Sequence, residues 1–304
     1  MDSALQRVIE RGLGRDVVGT TRVRGGDVAV AFAVDLDDGR RVFAKTHPAA
    51  PRHFFTTEAT GLEWLRAAGA VAIPEVLAVS DDTPNHLVLE WIERSESGVD
   101  RMGGAARATH GEGRPTRTTE PELGVALATL HQAGAPSFGR EDRRTTGSRG
   151  LPNEPCTTWA EFYATNRLLP LAKLARDARA LADATISALE RVAGRLSQFG
   201  GADEAPARLH GDLWAGNRLV DADGHSWLID PAAHGGHREF DLAMMRLFGG
   251  FTEACFAAYD EVFPLATGWP ERVALHQIAP LVVHAIKFGG GYVGAATTAI
   301  NTYE

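Results

Sequence analysis

Hydrophobic and polar positions change period along this chain, and the changes divide it. Residues 3–11 place Leu5, Val8 and Ile9 on one side, the pattern of a short amphipathic helix. Strand-like runs follow at 16–23, 27–36 and 40–45, and Asp37-Asp38-Gly39 supplies the turn of a tight hairpin between the last two. Helical spacing returns over 54–68, with Leu62, Trp64 and Leu65 apolar, before two more strands at 74–79 and 86–90. Beyond residue 120 the period is helical at 121–133, 157–173, 177–199, 239–263 with at least one interruption, and 270–287. Gly289-Gly290-Gly291 then makes a turn before a last short helix. One small hairpin interrupts this helical half: Asn217 to Asp221 and Ser226 to Asp230 read as short strands, joined by Asp223-Gly224.

Five strands followed by helices predict an α+β fold with a sheet-rich small lobe and a larger helical lobe. The boundary lies in residues 93–120, which are charged, glycine-rich and without periodicity, as in a flexible linker or insertion. The expected organisation is therefore an N-lobe at 1–92, a linker at 93–120 and a C-lobe at 121–304.

Composition narrows the function classes. A length of 304 residues suffices for a full core, and 44% hydrophobic with 23% charged residues is ordinary for a globular protein. The net charge of −8 argues against a nucleic-acid partner or an anionic membrane surface. Two cysteines, Cys156 and Cys255, offer neither metal-ligand spacing nor a disulfide framework and read as packing residues. The start of the chain lacks a signal-peptide pattern, and no apolar run approaches the roughly 20 residues of a membrane span. A cytoplasmic protein is expected.

The candidate chemistry centres on the small hairpin. Asp212 and Asn217 stand five apart, the D-x-x-x-x-N spacing of a kinase catalytic loop, and Asp230 closes the hairpin where kinases keep a metal-binding Asp. Phosphoryl transfer asks the protein chiefly for positioning and charge relief. An Asp beside the acceptor hydroxyl takes its proton, while an Asn oxygen and a second Asp are hard ligands suited to Mg²⁺. Each residue alone is equally well a helix cap, a turn former or loop polarity; their order and spacing together favour the chemistry. Val42-Phe43-Ala44-Lys45 likewise ends a third strand in a lysine, and Glu58 lies in the helix that follows, as in the kinase pair over the ATP phosphates. Alone these are an ordinary surface Lys and Glu. Gly25 and Gly26 form a turn whose N–H groups suit phosphates but equally suit a plain hairpin, and Glu90-Trp91-Ile92 is a candidate adenine hinge, which adds Glu90 and Ile92 to the nucleotide set. His131, at the end of a helix, reads as a structural histidine.

The stretch from His210 to Phe251 closely resembles the fructosamine/ketosamine kinase family, a branch of the aminoglycoside-phosphotransferase-like kinases within the protein-kinase-like superfamily. The residues that carry it are His210-Gly-Asp-Leu-Trp-Ala-Gly-Asn217, Asp230-Pro-Ala232 and Gly236-His-Arg-Glu-Phe-Asp-Leu-Ala-Met244 through Leu247-Phe-Gly-Gly-Phe251. Weaker similarity covers most of the chain, including Phe43-Ala-Lys45, Leu130-His-Gln-Ala-Gly134 and Phe288-Gly-Gly-Gly-Tyr292. The resemblance implies that Asp212 is the catalytic base, that Asn217 and Asp230 hold Mg²⁺, and that Lys45 and Glu58 position ATP. It implies that Trp214, His234 and His237 line or border the sugar pocket and that Asp241 braces the catalytic loop. The implied reaction phosphorylates the 3-hydroxyl of the ketose on a glycated amine; the adduct then falls apart and frees the amine. Bacterial-type members generally act better on ribulosamines and erythrulosamines than on fructosamines. The substrate would be a small ketosamine or a glycated protein side chain, and the enzyme a monomer. Two departures stand out: the linker after Ile92 is longer and more polar than the family pattern, and the phosphate loop is a bare Gly25-Gly26-Asp27. A kinase of the same fold acting on an aminoglycoside, choline or another alcohol is the alternative. A non-catalytic binding protein on this scaffold is disfavoured because Lys45, Asp212, Asn217 and Asp230 are all present.

Overall fold

The computed structural model describes residues 1–23, 29–94, 120–142, 144–145, 150–199, 201 and 203–304. Gly25 and Gly26, and all of the 93–120 linker except Glu93, Arg94 and Glu120, lie outside the described residues.

Helix α1 (Ser3–Leu13) opens the chain. Its N-cap Asp2 accepts the N–H groups of Ala4 and Leu5, and Gly14 ends it in the left-handed conformation. Strands β1 (Val17–Val23), β2 (Val30–Leu36), β3 (Arg41–Thr46), β4 (Val76–Ser80) and β5 (His86–Glu90) form one antiparallel sheet in the order β1-β2-β3-β5-β4. Helix α2 (Phe54–Arg66) crosses between β3 and β4. The period of two along β3 sorts its side chains between the faces. Val42 and Ala44 pack with Leu5 and Ile9 of α1, whereas Phe43 packs with Phe55, Leu62 and Leu65 of α2. Lys45 shares the face of Phe43 and so points toward α2. Each fully buried aliphatic side chain of α1 contributes about 2–3 kcal/mol to holding the helix on the sheet.

The large lobe is helical: α3 (Glu120–Gln132), α4 (Trp159–Tyr163), α5 (Leu169–Asp177), α6 (Asp183–Ala193), α7 (Glu239–Phe248), α8 (Glu253–Val262), α9 (Trp269–Phe288) and α10 (Gly291–Asn301). Short pairs β6 (Ala207–Leu209) with β9 (His234–Gly236) and β7 (Arg218–Val220) with β8 (Ser226–Leu228) lie among them. The α2 core continues into the large lobe through Leu213, Leu228 and Leu242, so the lobes share apolar packing beside the Asp212–Asn217 segment. The fold is the two-lobed α+β class that the pattern predicts.

Helix boundaries differ at one place with a clear cause. The expected helices at 157–173 and 177–199 become one helix running through α4, a π-turn at Ala164–Leu168 and α5, then a break before α6. Arg179 takes φ 51°, and the Ala180 N–H bonds the Ala175 carbonyl, which closes a left-handed cap without glycine. Pro280 inside α9 is accommodated by the hydroxyl of Tyr163, which donates to the carbonyls of Leu275 and His276. Among the described residues no helix is long and apolar enough to cross a membrane.

Candidate active site

The candidate catalytic segment hangs between β6 and β9, which pair Leu209 with His234. Gly211 turns it at φ 80°, and a Cβ there would fall 2.2 Å from the Ala232 carbonyl oxygen, so only glycine fits. Asp241, fully buried in the first turn of α7, accepts the backbone N–H of His210 at 2.7 Å and that of Gly211 at 2.9 Å. This is the bracing expected of it. Burial opposes its charge, but the His131 hydrogen bond and the backbone donors more than offset that and hold its pKa below the usual range. His131 closes the arrangement from α3: Nε2 lies 3.3 Å from Asp241 Oδ2, and Nδ1 lies 2.9 Å from the Tyr259 hydroxyl. The side chain read as merely structural thus orients the group that orients the loop. His210 is kept neutral chiefly by burial; Nε2 donates to the Ile229 carbonyl at 2.9 Å and Nδ1 accepts the Asp212 N–H at 3.3 Å.

On this frame the predicted groups converge. Asn217, at the end of a 3₁₀ turn, donates Nδ2 to the backbone carbonyl of Asp212 at 2.8 Å and to its Oδ2 at 3.2 Å. With the amide nitrogen used there, Oδ1 is the hard oxygen the side chain has left to offer a metal ion. Asp230 sits at φ 53°, a left-handed conformation that costs a non-glycine residue of order 1–3 kcal/mol. Lys45 Nζ lies 2.7 Å from Asp230 Oδ1 and 2.5 Å from Glu58 Oε1, so the strand lysine, the helix glutamate and the hairpin aspartate form one cluster. Burial disfavours the lysine's charge, but Asp230 and Glu58 together raise its pKa. Burial pushes Glu58 up to about 7 against the pull of Lys45. Asp212 is also pushed up to about 7, first by burial and then by the nearby Asp230 charge. Asp230 itself is held low, burial being overridden by Lys45, and its side chain remains 45% exposed.

The remaining predicted residues divide. Trp214 is half-buried beside Asp212; its ring lies so close to Gly216 that a Cβ there would approach it to 2.2 Å. It begins an aromatic wall: Phe248 at 6.2 Å between ring centres, then His284 at 4.9 Å from Phe248, with Phe288 and Tyr292 at 5.5 and 5.0 Å from His284. The wall ends in solvent, where Phe288 is 53% exposed. Lys287 stands over the Phe288 ring, and its charge reaches Asp212. Sequence reading picked out only Trp214; the faint signal for the rest was the spacing of His284, Phe288 and Tyr292, four residues apart.

His234 and His237 are not on this wall. Both are buried in the large-lobe core, His234 against Phe162 and Phe240, and His237 against Trp159 and His276 with Nε2 on the Gly201 carbonyl at 2.7 Å. Burial lowers their pKa values to about 3 and about 4, so both are neutral. His234 packs behind Gly211, its Nδ1 lying 2.9 Å from where a Cβ there would stand. Both rings line a small cavity with Trp159, Phe162, Arg167 and Phe240, none of which belongs to the aromatic wall that begins at Trp214. Glu90 ends β5 with its side chain in a groove shared with Arg66, Ile73 and Trp227, and Ile92 follows half-buried. Burial raises the pKa of Glu90.

The hard-oxygen set of Asn217 Oδ1 and the partly open Asp230 carboxylate, beside a lysine, fits a Mg²⁺-nucleotide. Comparison with known proteins agrees with that chemistry. A probable ketoamine kinase of Enterococcus faecium is 32% identical over 89% of this chain and 90% of its own length. The chloroplastic protein-ribulosamine 3-kinase of Arabidopsis thaliana is 28% identical over 99% of this chain and 87% of its own. The crystal structure of a fructosamine-3-kinase candidate from Thermobifida fusca superposes with a TM-score of 0.85 at 35% identity, covering 100% and 99% of the two chains. The fructosamine kinase family model matches residues 1–303. With the loop, the hairpin and the strand lysine in one cluster and that match running the length of the fold, the chain belongs to the fructosamine kinase family.

Proposed function

We propose that this protein is an ATP-dependent ketosamine 3-kinase. The observation that carries the reading is the convergence of Asp212, Asn217, Asp230, Lys45 and Glu58, drawn from both lobes, into one cluster. When bound, Mg²⁺ supplies neutralisation of the phosphate charge between Asn217 and Asp230. Lys45, held by Glu58, pairs with the nucleotide phosphates. Asp212 orients the acceptor 3-hydroxyl and takes its proton as the oxygen gains the γ-phosphoryl group and ADP departs. Its elevated pKa suits this task, because a base near neutrality is strong enough to accept the proton yet still ionised. The wall from Trp214 to Tyr292 gives the ketose and its amine carrier an apolar, π-rich face. The phosphorylated adduct then releases its amine, which makes the activity a deglycation. We place the enzyme in the cytoplasm as a monomer acting on a small ketosamine or a glycated side chain. Its net charge of −8 disfavours nucleic acid as a partner.

The aromatic wall also suits a quaternary ammonium, so choline is the second reading to test. The decisive assay is Mg²⁺·ATP turnover against ribulosyl-lysine, erythrulosyl-lysine, fructosyl-lysine, an aminoglycoside and choline. Saturable turnover of a ketosamine, abolished by EDTA and restored by Mg²⁺, is expected. Turnover of only choline or the aminoglycoside overturns the acceptor assignment.

A further inference from the structure

Residues 138–140 form a short extended piece seated between two other segments. Phe138 exchanges backbone hydrogen bonds with Cys156, Gly139 does so with Gly235 of β9, and the Arg140 N–H donates to the Asn153 carbonyl. Gly139 takes φ 97°, and a Cβ there would lie 2.6 Å from the Glu154 carbonyl oxygen. Arg140 therefore springs from a fixed base in the large lobe. Its guanidinium, only 9% exposed, reaches the small lobe: Nη2 donates to Thr60 Oγ1 on α2 at 3.0 Å. Nη1 donates to the Ala233 carbonyl at 3.3 Å, three residues after Asp230, and Asp142 accepts from Nε and Nη2 at 3.0 and 2.8 Å. Thr60 spends its own proton on the carbonyls of Thr56 or Thr57, which leaves its oxygen lone pair for Arg140.

A second tie runs parallel. Arg144 Nη1 donates to Thr56 Oγ1 at 2.8 Å, and Thr56 donates to Asp81 Oδ2 at 2.5 Å. Thr56 and Thr60 are one turn apart on α2, while Glu58 stands roughly 200° around the helix from Thr56. Helix α2 is thus held on one side by Lys45 and on the other by the arginines. It also rides closely on the segment after Asp230: a Cβ on Gly61 would sit 3.3 Å from the Ala233 Cβ.

We propose that Arg140 is a positioning residue for phosphoryl transfer, clamping α2 to the Asp230–Ala233 segment and so fixing Glu58, Lys45 and Asp230 relative to one another. The clamp is built into the fold and needs no modification to close. The inference rests on the kinase reading above, and its tests are chosen to fail separately from it. Thr60→Val removes the acceptor on α2 and leaves the large lobe untouched; Arg140→Ala removes the donor; Thr60→Ser keeps the contact. Affinity for Mg²⁺·ATP is measured by titration without acceptor, and α2 amide hydrogen exchange is measured on the unliganded chain. Thr60→Val and Arg140→Ala are each expected to weaken nucleotide affinity roughly tenfold. Both should speed exchange over 54–66 and leave the acceptor KM within about twofold, with Thr60→Ser close to wild type. The double variant should be no worse than the worse single one, because both remove the same contact. Wild-type α2 exchange and nucleotide affinity in Thr60→Val, or additive losses in the double variant, overturn the clamp. A wild-type chain that turns over no ketosamine defeats the acceptor assignment alone, since the exchange readout still decides the clamp.

Discussion

Lys45 Nζ lies 2.7 Å from Asp230 Oδ1, although 185 residues separate the two along the chain. With Glu58 on its other side, the lysine pairs with two carboxylates from opposite lobes. Lys45→Met removes that charge from both. Turnover should fall by about 10²-fold or more, since a donor aimed at developing phosphate charge is lost. Breaking a buried pair costs about 3–5 kcal/mol, but here the stability loss should fall below that range. Glu58 can take up a proton and Asp230 is partly open to water, so both escape full desolvation. Thermal unfolding beside steady-state turnover separates the two effects. A variant with wild-type turnover removes Lys45 from the mechanism.

Asp212→Ala should lower kcat by about 10²–10⁴-fold, the span of general-base contributions, with Mg²⁺·ATP affinity largely kept. Asp230→Ala should weaken productive metal–nucleotide binding instead. Nucleotide titration of both variants distinguishes the roles. Turnover of Asp212→Ala near that of wild type rules it out as the base.

The pH profile follows from the same carboxylate. Burial and the Asp230 charge raise Asp212 to about 7, and it must be ionised to accept a proton. Activity should therefore be full above that value and decline as pH falls through it. Because kcat/KM for the nucleotide reports the free enzyme, its acid limb should lie near 7. The limb in kcat should lie lower, since a cation at Asp230 relieves the repulsion that raises Asp212. A kcat/KM profile flat from pH 5 to 8 contradicts the assignment.

Asp241→Asn tests the loop brace. Either amide orientation leaves one N–H of His210 or Gly211 facing a donor, a buried mismatch costing about 1–3 kcal/mol. The loop should loosen, and kcat should fall while acceptor KM changes less. His131→Phe should show a weaker version of the same split, because both backbone N–H groups keep their carboxylate acceptors while Asp241 and the Tyr259 hydroxyl each lose the imidazole contact. Stopped-flow turnover with unfolding curves reads both.

Gly124 on α3 reports on the packing beneath the site. A Cβ there would stand 2.1 Å from the Cys255 carbonyl oxygen on α8, a backbone atom that cannot step aside. Gly124→Ala should destabilise by about 1–3 kcal/mol despite the better helix propensity of alanine, as measured by denaturant unfolding.

What the sequence determined by itself were the features that depend on local chemistry. Hydrophobic period marked the five strands and most helices, and the spacing of Asp212, Asn217 and Asp230 marked a short loop and hairpin whose residues are held together by a few intervening bonds. Lys45 and Glu58 were legible as a strand-end lysine followed by a glutamate in the next helix, both local features of the pattern. The break expected between 173 and 177 lies instead between Asp177 and Asp183, because the left-handed cap there uses Arg179, which carries no glycine signal.

Only the tertiary structure decided the roles that depend on contacts between distant segments. His131 gained its meaning from Asp241, 110 residues away, and Arg140 from Thr60, 80 residues away. The burial of His234 and His237 was equally out of reach: the β6–β9 pairing sets His234 behind Gly211, and His237 packs against Trp159 and His276. The aromatic wall joins the catalytic loop, α7, α9 and α10, and no window along one chain spans them. Spacing reports on neighbours along the backbone; orientation, burial and charge pairing arise where packing brings remote elements together, and those set the chemistry of Asp212, Asp230 and Lys45.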